Sequence, residues 1–139
     1  MTSSPTQLAL ITGGSGFLAT QIILLLVDRG VRVRSCVRSP EKAIAWMEKQ
    51  IEDRPEIESM VDFVYVANME LPGAYDTAVQ GVDMVFHVAS PFNFTFRDNE
   101  KDMLIPARNG ALNLLRAAQG EPRIKRVIFT SSWAKHVFL

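Results

Sequence analysis

The sequence has little of what marks a secreted, membrane-spanning or nucleic-acid-binding protein. Its single cysteine, Cys36, cannot form an internal disulfide, which favours a reducing compartment and a cytoplasmic location. Fifteen Lys and Arg residues balance fifteen Asp and Glu residues, so no excess charge indicates binding to nucleic acid or to an anionic membrane. The amino terminus lacks the basic start of a signal peptide, and the longest dense apolar stretch, residues 22–27, is far too short to span a bilayer. These absences predict a soluble protein, and the length of 139 residues predicts one domain.

What the sequence does contain is a regular alternation of strand-like and helix-like segments. Gly30 is the expected left-handed stop of the first helix, Ser39 the N-cap of the second, and Pro106 predicts a kink or a break in the last. The alternation predicts βαβ units with right-handed crossovers, and therefore a parallel sheet. Strands are predicted over residues 8–12, 31–37, 61–67, 82–89 and 124–130, and helices over 17–29, 40–53, 74–80 and 98–119.

The turn between the first strand and the first helix is rich in glycine. Gly13, Gly14 and Gly16 stand there, with no bulky side chain before Phe17. Parallel sheets bind ligands outside the carboxyl ends of their strands, and such a turn lets a pyrophosphate approach the amides of a helix N-terminus. The alternative is a tight connection that binds no ligand. The position after a strand and before a helix favours phosphate binding.

The second predicted strand does not end in an acidic residue, which NAD-binding proteins commonly use to hold the ribose hydroxyls. Arg38 stands there instead, and Ser39 and Lys42 follow closely. A guanidinium group pairs well with a phosphate, whereas a carboxylate would repel one. The alternative is that these cations are solvated surface charges. Their position favours a contact with the 2′-phosphate of NADP, and so NADPH over NADH.

The chain carries several motifs that together resemble those of a known family: TGGSGFLA, VRSPEK, VFHVASP, PARNGALNLLRAA and VIFTSS. With them the chain is similar to the NAD-dependent epimerase/dehydratase family, the extended branch of the short-chain dehydrogenase/reductases, and most of all to its dihydroflavonol-4-reductase branch. The resemblance implies the α/β class with a doubly wound parallel sheet, the Rossmann fold. It also implies an NADPH-dependent reductase that acts on a ketone or aldehyde.

The resemblance further implies roles for individual residues. Asn68 stands where the family usually has an aspartate near the adenine, and Asn113 matches an asparagine that supports the sheet through backbone hydrogen bonds. For His87 the alternative is a hydrogen-bonded core histidine. The expected cofactor contacts are Gly13, Ser15, Gly16, Phe17, Leu18, Arg38, Lys42, Asn68, His87, Val88 and Ala89.

Ser132 matches the serine with which the family orients a carbonyl group, although a serine there can also simply cap a strand end. The family pairs this serine with a tyrosine that has a lysine four residues beyond it. The two tyrosines here, Tyr65 and Tyr75, are followed at that distance by Met69 and Val79. Carbonyl reduction by these residues alone is expected to be very weak or absent, because no group is placed to donate the proton.

Residues 1–139 are thus predicted to be an incomplete NAD(P)-binding domain, cut after the fifth strand and lacking a substrate region. Two alternatives remain: a non-catalytic NADP-binding sensor or truncated remnant, and a fragment of a sugar-nucleotide epimerase or dehydratase, against which Arg38 counts. Expected partners are the dinucleotide and, with a further half, a small carbonyl substrate; no metal is expected. The open edge of the fifth strand predicts self-association. The phenylalanines of PFNFTF, residues 91–96, are either loop packing or an apolar substrate wall.

Overall fold

Helices connect most successive strands in the computed structural model, which describes residues 6–91, 97, 98 and 100–131, whereas only turns connect the third strand to the fourth. No helix in this described part combines the length and the apolar character needed to cross a membrane. The strands are β1 (Leu8–Thr12), β2 (Arg32–Val37), β3 (Val61–Tyr65), β4 (Met84–His87) and β5 (Arg126–Phe129). The helices are α1 (Phe17–Asp28), α2 (Pro40–Ile51), α3 (Ile57–Met60) and α4 (Ile105–Gln119), and a π-helical segment, Glu100–Leu104, leads into α4.

The strands form one parallel sheet in the order β3-β2-β1-β4-β5. β1 pairs with β2 on one side, where Ile11 lies beside Ser35, and with β4 on the other, where Thr12 lies beside His87. The chain moves outward from β1 to β3 and then returns to the opposite side of β1. The strand order therefore reverses between β1 and β4, and such a point leaves a crevice at the carboxyl ends of the strands. The predicted doubly wound parallel sheet is confirmed.

Apolar side chains cover both faces of the sheet. On one face, Ile11 belongs to a cluster with Ile23 of α1 and Trp46 of α2. On the other, Leu10 belongs to a cluster with Leu114 of α4. β1 is buried on both faces, which explains why its sequence is a continuous apolar run and does not alternate.

Local stop and start signals act where the sequence predicts them. β1 spans the predicted residues, and Gly30 adopts a φ of 73° just beyond α1. Ser39 is the N-cap of α2. The break predicted near Pro106 is present, because π-helical turns give way to α-helix at Ile105.

The helix predicted over residues 74–80 is wrong. This stretch forms consecutive turns, among them one in which the Asp76 N–H donates to the Gly73 carbonyl at 3.1 Å. Gly73 and Gly81 bound it with φ values of 76° and 73°, and so short a segment gains too few helical hydrogen bonds to offset the cost of helix nucleation. The apolar residues of this stretch are still directed into the core, since Tyr75 is almost completely buried. The single turn of α3 was not predicted.

Candidate functional site

A cleft of about 790 Å³ opens at the carboxyl edge of the sheet. It lies over the point where the strand order reverses, and residues that follow β1, β2, β3 and β4 all contribute to it. The structure brings together all the predicted cofactor contacts except His87. Those that line the cleft are Gly13, Ser15, Gly16, Phe17, Leu18, Arg38, Lys42, Asn68, Val88 and Ala89.

Gly13 and Gly16 shape the turn that forms the centre of the cleft. Gly13 has a φ of 68°, and a Cβ on it would lie 3.1 Å from the Ala89 backbone, so both its conformation and its surroundings require glycine. Gly16 is the N-cap of α1 and has no side chain with which to bond the first-turn N–H groups. The first turn of α1 also carries no acidic residue. The N–H groups at Phe17 and Leu18 therefore present a positive helix end to the cleft.

Thr12 was not among the predicted site residues, yet it holds two walls of the cleft together. Its buried Oγ1 accepts hydrogen bonds from the N–H groups of Val88 at 3.1 Å and Ala89 at 3.0 Å. This ties the end of β1 to the chain that leaves β4. The available sequence signal is one polar residue closing an otherwise apolar buried strand.

His87 is a core residue and does not line the cleft. Its Nδ1 lies 2.8 Å from Thr12 Oγ1. Because that oxygen already accepts two N–H groups, the hydroxyl donates its own hydrogen to Nδ1, and the neutral ring carries its proton on Nε2. Burial lowers the pKa of His87, and the ring packs edge-on against Phe129 with centroids 5.1 Å apart. The expected cofactor contact does not fit this position, whereas the alternative of a hydrogen-bonded core histidine does.

Two cations stand where β2 leads into α2. Arg38 directly follows β2, Lys42 lies in the first turn of α2, and both are exposed and line the cleft. Among the described residues that line the cleft, the one carboxylate is Glu70, which follows β3. The end of β2 thus offers positive charge to a ligand and no ribose-binding acid.

The loop after β3 supplies Asn68 and is held in place by α4. The Asn68 Oδ1 accepts the N–H of Glu70 at 2.9 Å. Asn113, in α4, donates through Nδ2 to the carbonyl oxygens of Met69 and Leu71, both at 3.0 Å. The predicted support from Asn113 therefore goes to this loop, not to the sheet.

Cys36 and Tyr75 are buried, uncharged residues of the cleft lining. Burial raises the pKa of the Cys36 thiol to about 12, so the group is a neutral thiol near neutral pH and a poor nucleophile. Burial likewise raises the pKa of Tyr75, whose phenol stays protonated. Neither residue is poised for acid–base or covalent chemistry.

Ser132 and the phenylalanines at 92, 94 and 96 lie outside the described residues. The chain that leaves β5 towards Ser132 does reach the cleft, since Thr130, directly after β5, lines it. The Thr130 N–H also donates to the His87 carbonyl oxygen at 3.1 Å. The carboxyl end of β5 therefore leads to the cleft.

The parallel sheet and the glycine-lined cleft at its switch point define a doubly wound α/β protein of the Rossmann class. The chain belongs to the 3-beta hydroxysteroid dehydrogenase/isomerase family, whose sequence model matches residues 10–138.

Individual relatives agree with this assignment. The chain is 39% identical over 131 residues to an uncharacterized oxidoreductase of Schizosaccharomyces pombe. This alignment covers 92% of this chain and 37% of that protein. It is 34% identical over 131 residues to the bifunctional dihydroflavonol 4-reductase/flavanone 4-reductase of Pyrus communis, with 93% and 36% covered. The crystal structure of yeast methylglyoxal/isovaleraldehyde reductase with NADPH matches with a TM-score of 0.81 at 30% identity, over 92% of this chain and 38% of that one. The predicted likeness to dihydroflavonol reductases is confirmed, and the chain spans little more than a third of each relative's length.

Proposed function

We propose that the chain is the cofactor-binding part of an NADPH-dependent carbonyl reductase. The observation that carries this proposal is a single cleft in which the glycine-framed N-terminus of α1 and the cations Arg38 and Lys42 stand together. The reductase class is supported by the relatives, which include a dihydroflavonol reductase and a reductase crystallised with NADPH. Residues 1–139 would then be one part of a longer enzyme's cofactor domain.

The residues of the cleft fit a phosphorylated dinucleotide. The N–H groups at the start of α1 bind the pyrophosphate, because they have no partner within the first turn and the helix dipole favours an anion. Arg38 forms paired hydrogen bonds with the 2′-phosphate, and Lys42 adds a point charge beside it. NADH offers no phosphate at that place.

In the reduction of a carbonyl group, the cofactor and the protein have different roles. The cofactor supplies the hydride when it is bound. The chain holds the backbone of Val88 and Ala89 at the cleft through Thr12. By its match to the family's serine, Ser132 would donate a hydrogen bond to the oxygen of a ketone or aldehyde. Neither tyrosine of the sequence has a lysine four residues beyond it. The residues of the cleft are therefore proposed to bind the cofactor and orient the substrate, and none of them is assigned as the proton donor.

A titration of the 139-residue chain with NADPH and with NADH, followed by nicotinamide fluorescence, tests the proposal. We expect NADPH to bind about tenfold or more tightly than NADH, because a charge-assisted contact to the 2′-phosphate contributes on the order of one power of ten or more in affinity. Arg38→Ala should remove most of the preference for NADPH, with Lys42 retaining the remainder, and should leave NADH binding unchanged.

The matched control is Arg116→Ala, which removes the same charge from an exposed position on α4 that does not line the cleft. Equal loss of both cofactors in Arg38→Ala would argue against a 2′-phosphate contact. Failure of the folded chain to bind either cofactor would refute the proposal altogether.

A further inference from the structure

This inference rests on the proposed function and concerns the base of the cofactor. We infer that Asn68 contacts the purine as a hydrogen-bond donor, so that the site accepts a 6-oxopurine dinucleotide about as well as the adenine form. The choice between adenine and a 6-oxopurine would depend on the Asn68 amide, which is oriented by its hydrogen bond with the Glu70 N–H.

The strand order places the base near Asn68. With the pyrophosphate at the start of α1 and the 2′-phosphate at Arg38 beyond β2, the adenosine half runs outward from β1 across β2. β3 is the next strand in that direction, and the loop that follows it lines the cleft with Asn68. The purine attached to that ribose therefore lies against this loop.

The orientation of the Asn68 amide follows from its own loop. The Glu70 N–H can only donate, so the atom that it meets at 2.9 Å must be the carbonyl oxygen Oδ1. Oδ1 is thereby turned towards the loop backbone. The Nδ2 group, with two N–H donors, is the part of the side chain that is not engaged with Glu70.

The loop itself cannot easily turn to reverse this arrangement. Asn113 bonds the carbonyl oxygens of Met69 and Leu71, on both sides of Glu70, from the buried face of α4. Rotating the Asn68 amide would set its Nδ2 against the Glu70 N–H, donor against donor. The hydrogen bond with Glu70 therefore favours Nδ2 as the part of the Asn68 amide that is presented to a ligand.

A donor at this place does not need the amino group of adenine. Adenine presents an amino donor at position 6 and an acceptor at N7, whereas a 6-oxopurine presents acceptors at both positions. Nδ2 can pair with N7 of either base or with the 6-oxo group. A carboxylate at residue 68 would behave in the opposite way, because it would accept from the 6-amino group and repel a 6-oxo group.

The test compares NADPH with the reduced hypoxanthine analogue of the same dinucleotide phosphate, by fluorescence titration of the chain and of Asn68→Asp. We expect the native chain to bind the two within about threefold of each other. Asn68→Asp should favour NADPH over the analogue by about tenfold or more, since the new carboxylate still accepts the Glu70 N–H and turns its second oxygen to the base. Asn109→Asp adds the same charge on α4, outside the cleft lining, and should leave the ratio unchanged.

The outcomes separate the two proposals. If the native chain binds NADPH but rejects the analogue by tenfold or more, the inference about Asn68 is wrong while the cofactor assignment stands. An unchanged ratio in Asn68→Asp, shown by its circular dichroism to be folded, would also overturn the inference. If the folded native chain binds neither dinucleotide, the proposed function fails and the inference fails with it.

Discussion

Gly14 lies so close to Ser35 that no side chain fits between them. A Cβ on Gly14 would overlap Ser35 Oγ and would lie 3.0 Å from Ser35 Cβ. The Gly14 N–H also donates to the Cys36 carbonyl oxygen at 2.9 Å. The second glycine of the turn is thus not part of the cleft lining; it seats the turn on β2.

Replacing Gly14 with alanine should therefore destabilise the fold. We expect Gly14→Ala to lower the free energy of unfolding by about 1–3 kcal/mol, because overpacking forces the turn away from β2. Ser35→Ala should be close to neutral on its own, since its buried Oγ has no hydrogen-bond partner in the part of the chain that the structure describes. Urea denaturation of both variants and of the double variant measures the coupling between the two sites.

In the double variant, part of the loss should be recovered, because the overlapping oxygen is gone. Gly120→Ala is the control, since Gly120 is exposed and has a φ of −78° that alanine adopts freely. Strict additivity of the two substitutions would show that the contact with Ser35 is not the cause.

Thr12 should tolerate serine but not valine. Thr12→Val keeps the shape of the side chain but leaves the N–H groups of Val88 and Ala89 without their acceptor, at a cost of about 1–3 kcal/mol in unfolding free energy. We also expect weaker NADPH binding, because the backbone opposite the glycine turn is no longer fixed. Thr12→Ser retains the hydroxyl and should retain most of both properties. A valine variant as stable as the native chain would remove Thr12 from this role.

The stability of the chain should fall in mild acid because of His87. Its pKa in the folded state lies below the ordinary value of 6.5, owing to burial. As the pH falls below that ordinary value, the unfolded state takes up a proton first, so folding free energy is lost until the folded pKa is passed. Well above the ordinary value of 6.5, His87 adds no pH dependence.

His87→Gln isolates this contribution. Unfolding free energies of both proteins, measured by urea denaturation from about pH 8 to about pH 5, should diverge in slope below the ordinary histidine pKa. The other histidine, His136, is present in both proteins and cancels in the comparison. Parallel curves would mean that His87 does not bind protons differently in the two states.

Asn113 should be more sensitive to aspartate than to alanine. Asn113→Ala leaves the carbonyl oxygens of Met69 and Leu71 without a donor and should lower the free energy of unfolding by about 1–3 kcal/mol. Asn113→Asp places a carboxylate against both carbonyl oxygens and should lower it further. Denaturant midpoints at neutral pH give the order. Asn109→Asp, on the same helix, controls for the added charge and should be close to native. A reversed order would show that Asn113 does not act as a double donor.

Much of the fold could be read from local chemistry. β1 is apolar on both faces and ends at glycines, so its bounds and its central place in a parallel sheet follow from the sequence. The cations after β2 were found because strand ends share one edge of such a sheet. Residues 74–80 show where sequence periodicity fails to predict structure. The spacing of their apolar residues indicates one buried face, and a series of turns can bury that face as well as a helix can.

The contacts that fix the cleft could not be read in this way. Thr12 bonds Ala89, and Gly14 excludes a side chain from beside Ser35, across separations of many residues. A threonine or a second glycine in a motif does not reveal which distant atom it meets. His87 illustrates the same point, since its motif suggested the cofactor and its neighbours made it part of the core.

The bond from Ala89 to Thr12 spans 77 positions of the chain. During synthesis, β1, α1 and β2 emerge first and contain the whole glycine turn, but not the backbone of Val88 and Ala89 that forms the opposite wall of the cleft. That backbone arrives only with β4, which must insert beside β1 while β2 already occupies its other side. Because closing so long a loop costs entropy before any contact rewards it, we expect the cleft to be completed late in folding. A ligand that touches both walls of the cleft should therefore stabilise the finished fold and have little effect on the early steps of folding.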